Sequence, residues 1–256
     1  MKIDLTRVII KGYSHRRRGI PYPKSLHGLC YELAGRNYVH KHNVPSPFQP
    51  VIKKWQRNKK GTQIELEIRI VDNNFLEAVL KRLEHTEYFI LGSTEFELVQ
   101  YEAHYDTCIN LDSYIQPLPS IFNIQFNSPT LFSRQEVTER GIVYKKIQEI
   151  NLKLLLHSIC KYLQVRFNYK TDFDTVDAIA KKTIVIHEYF EPINIKATSS
   201  YQTDRALHGE MTLKIKSLNK EERDLLGKLL KLSTYIGVGN KKAFGYGQVR
   251  LERYGA

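Results

Sequence analysis

Ile64-Glu-Leu-Glu-Ile-Arg-Ile-Val71, continuing through Asp72-Asn-Asn-Phe75 to Leu83, changes its hydrophobic period within a few residues. Ile64, Leu66, Ile68 and Ile70 alternate with polar side chains, the pattern of a strand with one buried face. Phe75, Leu76, Val79, Leu80 and Leu83 then recur at helical spacing, with Asn73 or Asn74 placed to cap the first turn. Upstream, Ile3 to Ile10 is β-branched enough for a strand and runs into the basic turn His15-Arg-Arg-Arg18. Leu26, Leu29 and Leu33 predict a helix from Ser25, stopped near Gly35 and Asn37 and carrying His27 and Tyr31. Downstream, Tyr88–Leu91 and Thr94–Tyr101 read as two short strands.

The order strand, helix, strand, helix, strand, strand is the ferredoxin-like split βαβ arrangement, in which two helices cover one face of a four-stranded antiparallel sheet. It takes residues 1–111. Residues 112–120, with two prolines and no periodicity, read as a linker. Residues 121–256 repeat the theme less regularly: a strand at Ile121–Phe126, the step Ser128-Pro129, a helix over Leu152–Leu163, strands at Thr183–Ile186 and Met211–Lys216 in a long hairpin, a helix capped by Asn219, and a last strand at Gln248–Glu252. The predicted fold is α+β: two tandem ferredoxin-like (RRM-like) modules, with antiparallel sheets and helices on one face.

Composition agrees with a packed, charged protein. Of 256 residues, 42% are hydrophobic and 26% charged, which excludes a disordered chain. The 39 Lys+Arg exceed the 27 Asp+Glu, giving a formal charge of +12. That excess favours a polyanionic partner, because neutralising phosphates releases their counterions. Cys30, Cys108 and Cys160 are odd in number and contain no CxxC pair, so neither a disulfide framework nor a zinc site is expected. A reducing cytoplasm and no membrane partner are the expectation, since no apolar run approaches the length of a membrane helix. The chain has no GxSxG, P-loop or HExxH, and Asp172, Asp174 and Asp177 do not make up a ligand set.

The segment Gly237-Val-Gly-Asn-Lys-Lys-Ala-Phe-Gly-Tyr-Gly247 follows a helix and leads into a strand, the reverse of a dinucleotide-binding turn. Clustered glycines admit positive φ and close backbone approach, and their amides are expected to face phosphate oxygens, aided by Lys241 and Lys242. Helix, GxG, basic stretch, aromatic-flanked GxG and closing strand together resemble the C-terminal glycine-rich loop of the repeat-associated CRISPR proteins. Within that superfamily, Leu26-His-Gly-Leu-Cys-Tyr31, then Tyr38-Val-His40, then Pro47-Phe48 resembles the repeat-processing endoribonucleases, the Cas six family; Ser128-Pro129 matches the start of their second module.

The resemblance implies CRISPR repeat RNA as partner and cleavage of precursor RNA without metal or other cofactor. The 2′-hydroxyl attacks the adjacent phosphate, leaving a 2′,3′-cyclic phosphate and a 5′-hydroxyl. Such chemistry needs a base for the 2′ proton, an acid for the 5′ oxygen and a donor to steady the phosphorane. Histidine suits either proton step because its pKa lies near neutrality. The resemblance assigns His40 as general acid or base and Tyr31 as the group that orients or deprotonates the nucleophile. His42 is the alternative histidine, and His27 on the helix is a weaker one. The family often adds a lysine a few residues past the histidine; none stands at that distance here, leaving Lys41, His42 or Lys53 to supply the charge. Arg16, Arg17, Arg18, Lys41, Lys53, Lys54, Lys241 and Lys242, with Gly237, Gly239, Gly245 and Gly247, are the expected RNA contacts. The same resemblance also admits a non-catalytic RNA-binding subunit beside other subunits of a CRISPR effector complex, and a homodimer.

Overall fold

The computed structural model describes residues 1–17, 19–20, 23–35, 44–106, 108–111, 118–138, 141–147, 149–195, 204–240, 242 and 245–253. The first half contains β1 (Lys2–Ile3), β2 (Thr6–Ser14), α1 (Pro23–Ala34), β3 (Phe48–Asn58), β4 (Gly61–Ile70), α2 (Asn73–Leu83), β5 (Tyr88–Leu91), β6 (Thr94–Tyr105) and β7 (Ile109–Asn110). Five of these strands form one antiparallel sheet in the order β3-β4-β2-β6-β5. With β5 set aside, the order is that of a ferredoxin-like sheet. Its alternation is strict along β2: Val8 and Ile10 are buried, while Arg7, Ile9 and Lys11 lie on the other face and are half exposed. Val8, Ile10, Ile64, Leu66, Ile68 and Ile70 meet Leu26, Leu29 and Leu33 of α1 and Phe75 and Val79 of α2 in one core.

The second half contains β8 (Ile121–Thr130), β9 (Phe132–Thr138), β10 (Gly141–Ile147), α3 (Leu152–Phe167), α4 (Phe173–Lys182), β11 (Thr183–Ile195), β12 (Asp204–Ile215), α5 (Lys220–Ile236) and β13 (Val249–Arg253). Its sheet runs β11-β12-β8-β13, the same ferredoxin-like order, with β9 and β10 paired as a separate hairpin. Phe122, Ile124 and Phe126 of β8 bury against Leu155, Leu156 and Ile159 of α3 and Leu226, Leu229 and Leu230 of α5. Ile3, Leu5, Ile109 and Leu111 belong to this second core, because β1 pairs with β7 outside the five-stranded sheet and carries both chain segments across.

Several expectations are corrected. The first sheet has five strands, one more than expected: β3 leaves no strand pattern in the sequence, because its outer half is charged and a bulge between Ile52 and Lys54 breaks the alternation. Pro50 fits there because β3 is the sheet edge. The α2 cap is Asp72, whose side chain accepts from the Phe75 amide, rather than Asn73 or Asn74. Helix α4, with Asp172 as its cap, occupies a stretch read only for its carboxylates. Asn219 caps α5 as expected, in a full capping box with Glu222.

Candidate functional site

The glycine-rich segment clasps the free edge of β3. Gly237, Gly239, Gly245 and Gly247 all have positive φ, the region only glycine enters freely. All four meet neighbours that a Cβ would strike: it would lie 2.2 Å from Gln49 Nε2 at Gly237, 2.2 Å from the Leu131 carbonyl at Gly239, 2.8 Å from the Pro50 carbonyl at Gly245 and 1.9 Å from the Val238 carbonyl at Gly247. Gln49, fully buried on β3, donates through Nε2 to the Tyr246 carbonyl at 3.0 Å. Gln248 Nε2 donates to the Gly245 carbonyl, and a Cβ at Gly245 would touch the Pro50 carbonyl, with Leu26 of α1 just beyond.

The glycine amides face inward. Gly237 donates to Ser233 O, Gly239 to Ser158 Oγ, Gly245 to Lys242 O and Gly247 to Pro129 O. The expectation that these amides face phosphate oxygens is therefore corrected: Gly237 and Gly245 serve close packing against β3, Gly239 and Gly247 close packing within the second half, and the polar reach of the segment lies in its side chains. Of its two lysines, Lys241 lies outside the described residues. Lys242 sets its ammonium 4.5 Å from the centre of the Tyr162 ring, a cation–π contact. The residue is partly exposed along its length, yet burial of the ammonium end pushes its pKa down to about 7.

Tyr162 links this lysine to the N-terminal half. Its hydroxyl donates to the Ser46 carbonyl at 2.9 Å, and Arg166, one turn on, reaches the Pro45 carbonyl and pairs with Asp72 at the start of α2. The entry to β3 is thus fastened by α3 on one side and by the clasp on the other. Immediately inside it, Phe48 stacks on Phe75 with ring centres 4.8 Å apart. Tyr31 stands edge-on to Phe48 at 5.2 Å, and His27 edge-on to Tyr31 at 4.9 Å. Both side chains are half-buried, so α1 brings Tyr31 and His27 together at this corner. His40, Lys41, His42 and Arg18 lie outside the described residues.

The other expected RNA contacts lie elsewhere. Lys53 is the bulged residue of β3, with Nζ 3.9 Å from the buried Glu67 carboxylate. Arg16, Arg17 and Lys54 are exposed toward the far end of the first sheet. Arg16 is held there by Thr62 Oγ1 donating to its carbonyl, so proximity in sequence does not bring it to Tyr31. Among the described residues no three His, Cys, Asp or Glu side chains gather as a metal-binding group. Asp177 is taken up by Lys153 and His157, which hold its carboxyl below the usual range. Cys30, Cys108 and Cys160 are free thiols, and no described helix is long and apolar enough to cross a membrane.

Sequence reasoning missed Gln49, Tyr162 and Arg166. Gln49 sits in a strand whose pattern is broken, while Tyr162 and Arg166 look like ordinary members of an amphipathic helix. The spacing of four between the last two was the available sign that they share a helix face.

Paired ferredoxin-like sheets locked by a C-terminal glycine clasp define a two-module class of chain. The family model of the CRISPR-associated endoribonuclease Cas6 matches residues 124–249, and this chain belongs to the Cas6 family. Among solved structures, a Cas6 product complex is 20% identical with a TM-score of 0.70, covering 99% of this chain and 100% of that one. A second product complex, of a Cas6 from Thermus thermophilus, is 18% identical with a TM-score of 0.73, over 97% of this chain and 100% of the other. A histidine-to-alanine mutant of a Cas6 is 20% identical with a TM-score of 0.67, over 98% and 100%. No curated protein sequence matches the chain.

Proposed function

We propose that this protein binds CRISPR repeat RNA and cleaves precursor RNA within the repeat, without metal, by attack of a 2′-hydroxyl on the adjacent phosphate. In this reading residues 1–111 carry the cleaving groups, 112–120 link, and 121–256 supply the clasp.

The observation that carries the proposal is the corner where α1, the start of β3, Tyr162 and the glycine clasp meet. Tyr31 and His27 stand on one wall and Lys242 over another. His40, which lies outside the described residues, enters this reading through the family resemblance of Tyr38-Val-His40. Family membership and the solved relatives, which include Cas6 product complexes and a histidine mutant, support the same reading.

In the mechanism, His40 transfers a proton as general acid or base, and Tyr31 orients or deprotonates the 2′-hydroxyl. A cation must steady the phosphorane as its charge grows. Lys53 is drawn toward Glu67, which leaves Lys41, His42 and Lys242 as sources. The test is product analysis. Incubation with a repeat-containing transcript in EDTA should give one cut, with a 2′,3′-cyclic phosphate on the upstream fragment, and a single 2′-deoxy substitution at the cut should block it. A metal requirement, or a 3′-hydroxyl end, would overturn the mechanism.

A further inference from the structure

The far end of the first sheet carries a second feature that the cleavage corner does not use. β3 runs from Phe48 to Asn58, so its tip lies roughly 33 Å from the corner at ~3.3 Å per residue. Asn58 Oδ1 accepts from the amides of Lys60 and Gly61, Tyr13 Oη donates to the Lys60 carbonyl at 2.7 Å, and Thr62 Oγ1 donates to the Arg16 carbonyl at 2.8 Å. These bonds draw two basic loops, remote in sequence, into one ridge. Arg16, Arg17, Arg57, Lys59 and Lys60 are all exposed on it, and among the described residues none of the five is paired with a carboxylate. Like charges gathered on a hydrogen-bonded turn repel one another unless a polyanion lies across them.

Beside the ridge, on the face of the sheet away from α1 and α2, lies a hollow of about 390 Å³. Helix α5 packs against β3 and β4 on that face, where Arg69 reaches the Thr234 carbonyl, but the end near the ridge stays open. A bulge forms the hollow: β6 slips by one residue against Lys11 and Gly12, and Val99 is left over, 62% exposed. Tyr13 and Val99 give it apolar surface, and Lys11, Lys54, Gln63 and Glu65 give it donors and acceptors. An apolar wall with mixed polar groups suits the face and edge of an unpaired base, and a cationic rim suits its phosphates. Glu65 and Glu97 disfavour a free anion inside the hollow itself, which separates the base site from the phosphate track.

We infer that this bulged end of the first sheet holds an unpaired nucleotide of the RNA remote from the cut, its base in the hollow and its flanking phosphates on the Arg16–Lys60 ridge. The inference rests on the proposed RNA-processing function and adds a site to it. It makes the protein grip its RNA at two points, so that affinity and cleavage are separable.

The test uses the whole protein with a repeat-containing RNA extended by single-stranded flanks. Two variants change only exposed side chains: Lys59→Glu with Lys60→Glu, and Val99→Trp to fill the hollow. Each should weaken binding about tenfold, the lysine pair should also flatten the salt dependence of log Kd by about one to two, and single-turnover cleavage at saturating protein should stay at the wild-type rate. In RNA carrying 4-thiouridine, crosslinks should map to peptides containing Tyr13 or Val99, and Val99→Trp should remove them. Wild-type affinity, salt slope and crosslinks in both variants would overturn the second site while leaving the cleavage reading intact. A wild-type protein that binds no repeat RNA would overturn both.

Discussion

Lys242 is the residue whose chemistry departs most from its ordinary behaviour. Burial holds its pKa at about 7, against 10.5 for an exposed lysine. The sign follows: between those values the unfolded chain binds the proton more tightly than the folded one, so this residue's contribution to stability rises as pH climbs from about 7 toward 10.5. Its charge, and with it any hold on phosphate, is lost over the lower part of the same range. RNA affinity is therefore expected to fall between pH 6 and 8 by more in the wild type than in Lys242→Met, measured by fluorescence anisotropy at fixed salt. Identical pH profiles would remove Lys242 from the interface. Tyr31 and His27 were legible in the sequence because a helix places them one turn apart; Lys242's altered state was not, since it depends on burial in the folded chain, where its ring neighbour Tyr162 stands 80 positions earlier in sequence.

At the scale of elements, the glycine segment was legible as a device but not in its manner of working. Its spacing announced close backbone approach, and the structure places that approach at Gln49, Leu131 and Val238, with the amides turned inward. Gly247→Ala combines a positive φ of 69° with a Cβ 1.9 Å from the Val238 carbonyl. It should cost at least about 1–3 kcal/mol in denaturant unfolding. Gln49→Ala leaves the Tyr246 carbonyl without its buried donor and should cost about 1–3 kcal/mol. Because that bond joins β3 to the clasp, the same variant should slow RNA cleavage more than Asn219→Ala, which removes a helix cap far from the corner for about 1 kcal/mol. Equal cleavage by the two variants would mean that the clasp contributes only stability. Strand β3 itself was hidden because its bulge and charged outer half mimic a loop, whereas β4 and α2 were plain because each keeps one period throughout.

Over the whole molecule, the alternation of elements disclosed two ferredoxin-like sheets, because each strand and helix has to bury a face and short connections leave few orders. How the halves meet was not disclosed. Arg7 pairs with Asp106 at 2.6 Å. Burial alone would raise the Asp106 carboxyl, but Arg7 and Tyr235 hold it lower, and Tyr235, from α5, ties the first sheet to the second half. Contacts between residues about a hundred positions apart or more leave no periodic trace in sequence. The basic surface follows the same logic: a charge of +12 was visible at once, but its gathering into a ridge at one end of a sheet depends on the β2–β4 register. The central claim, that the corner between α1 and the clasp cuts repeat RNA, is tested most directly by single-turnover cleavage of a repeat transcript in EDTA by wild type and by His40→Ala. The account predicts a single cut by the wild type and a loss of about 10²–10⁴-fold in rate for His40→Ala, with RNA affinity unchanged. A wild type that binds but does not cut, or a His40→Ala variant that cuts normally while His42→Ala does not, would contradict it.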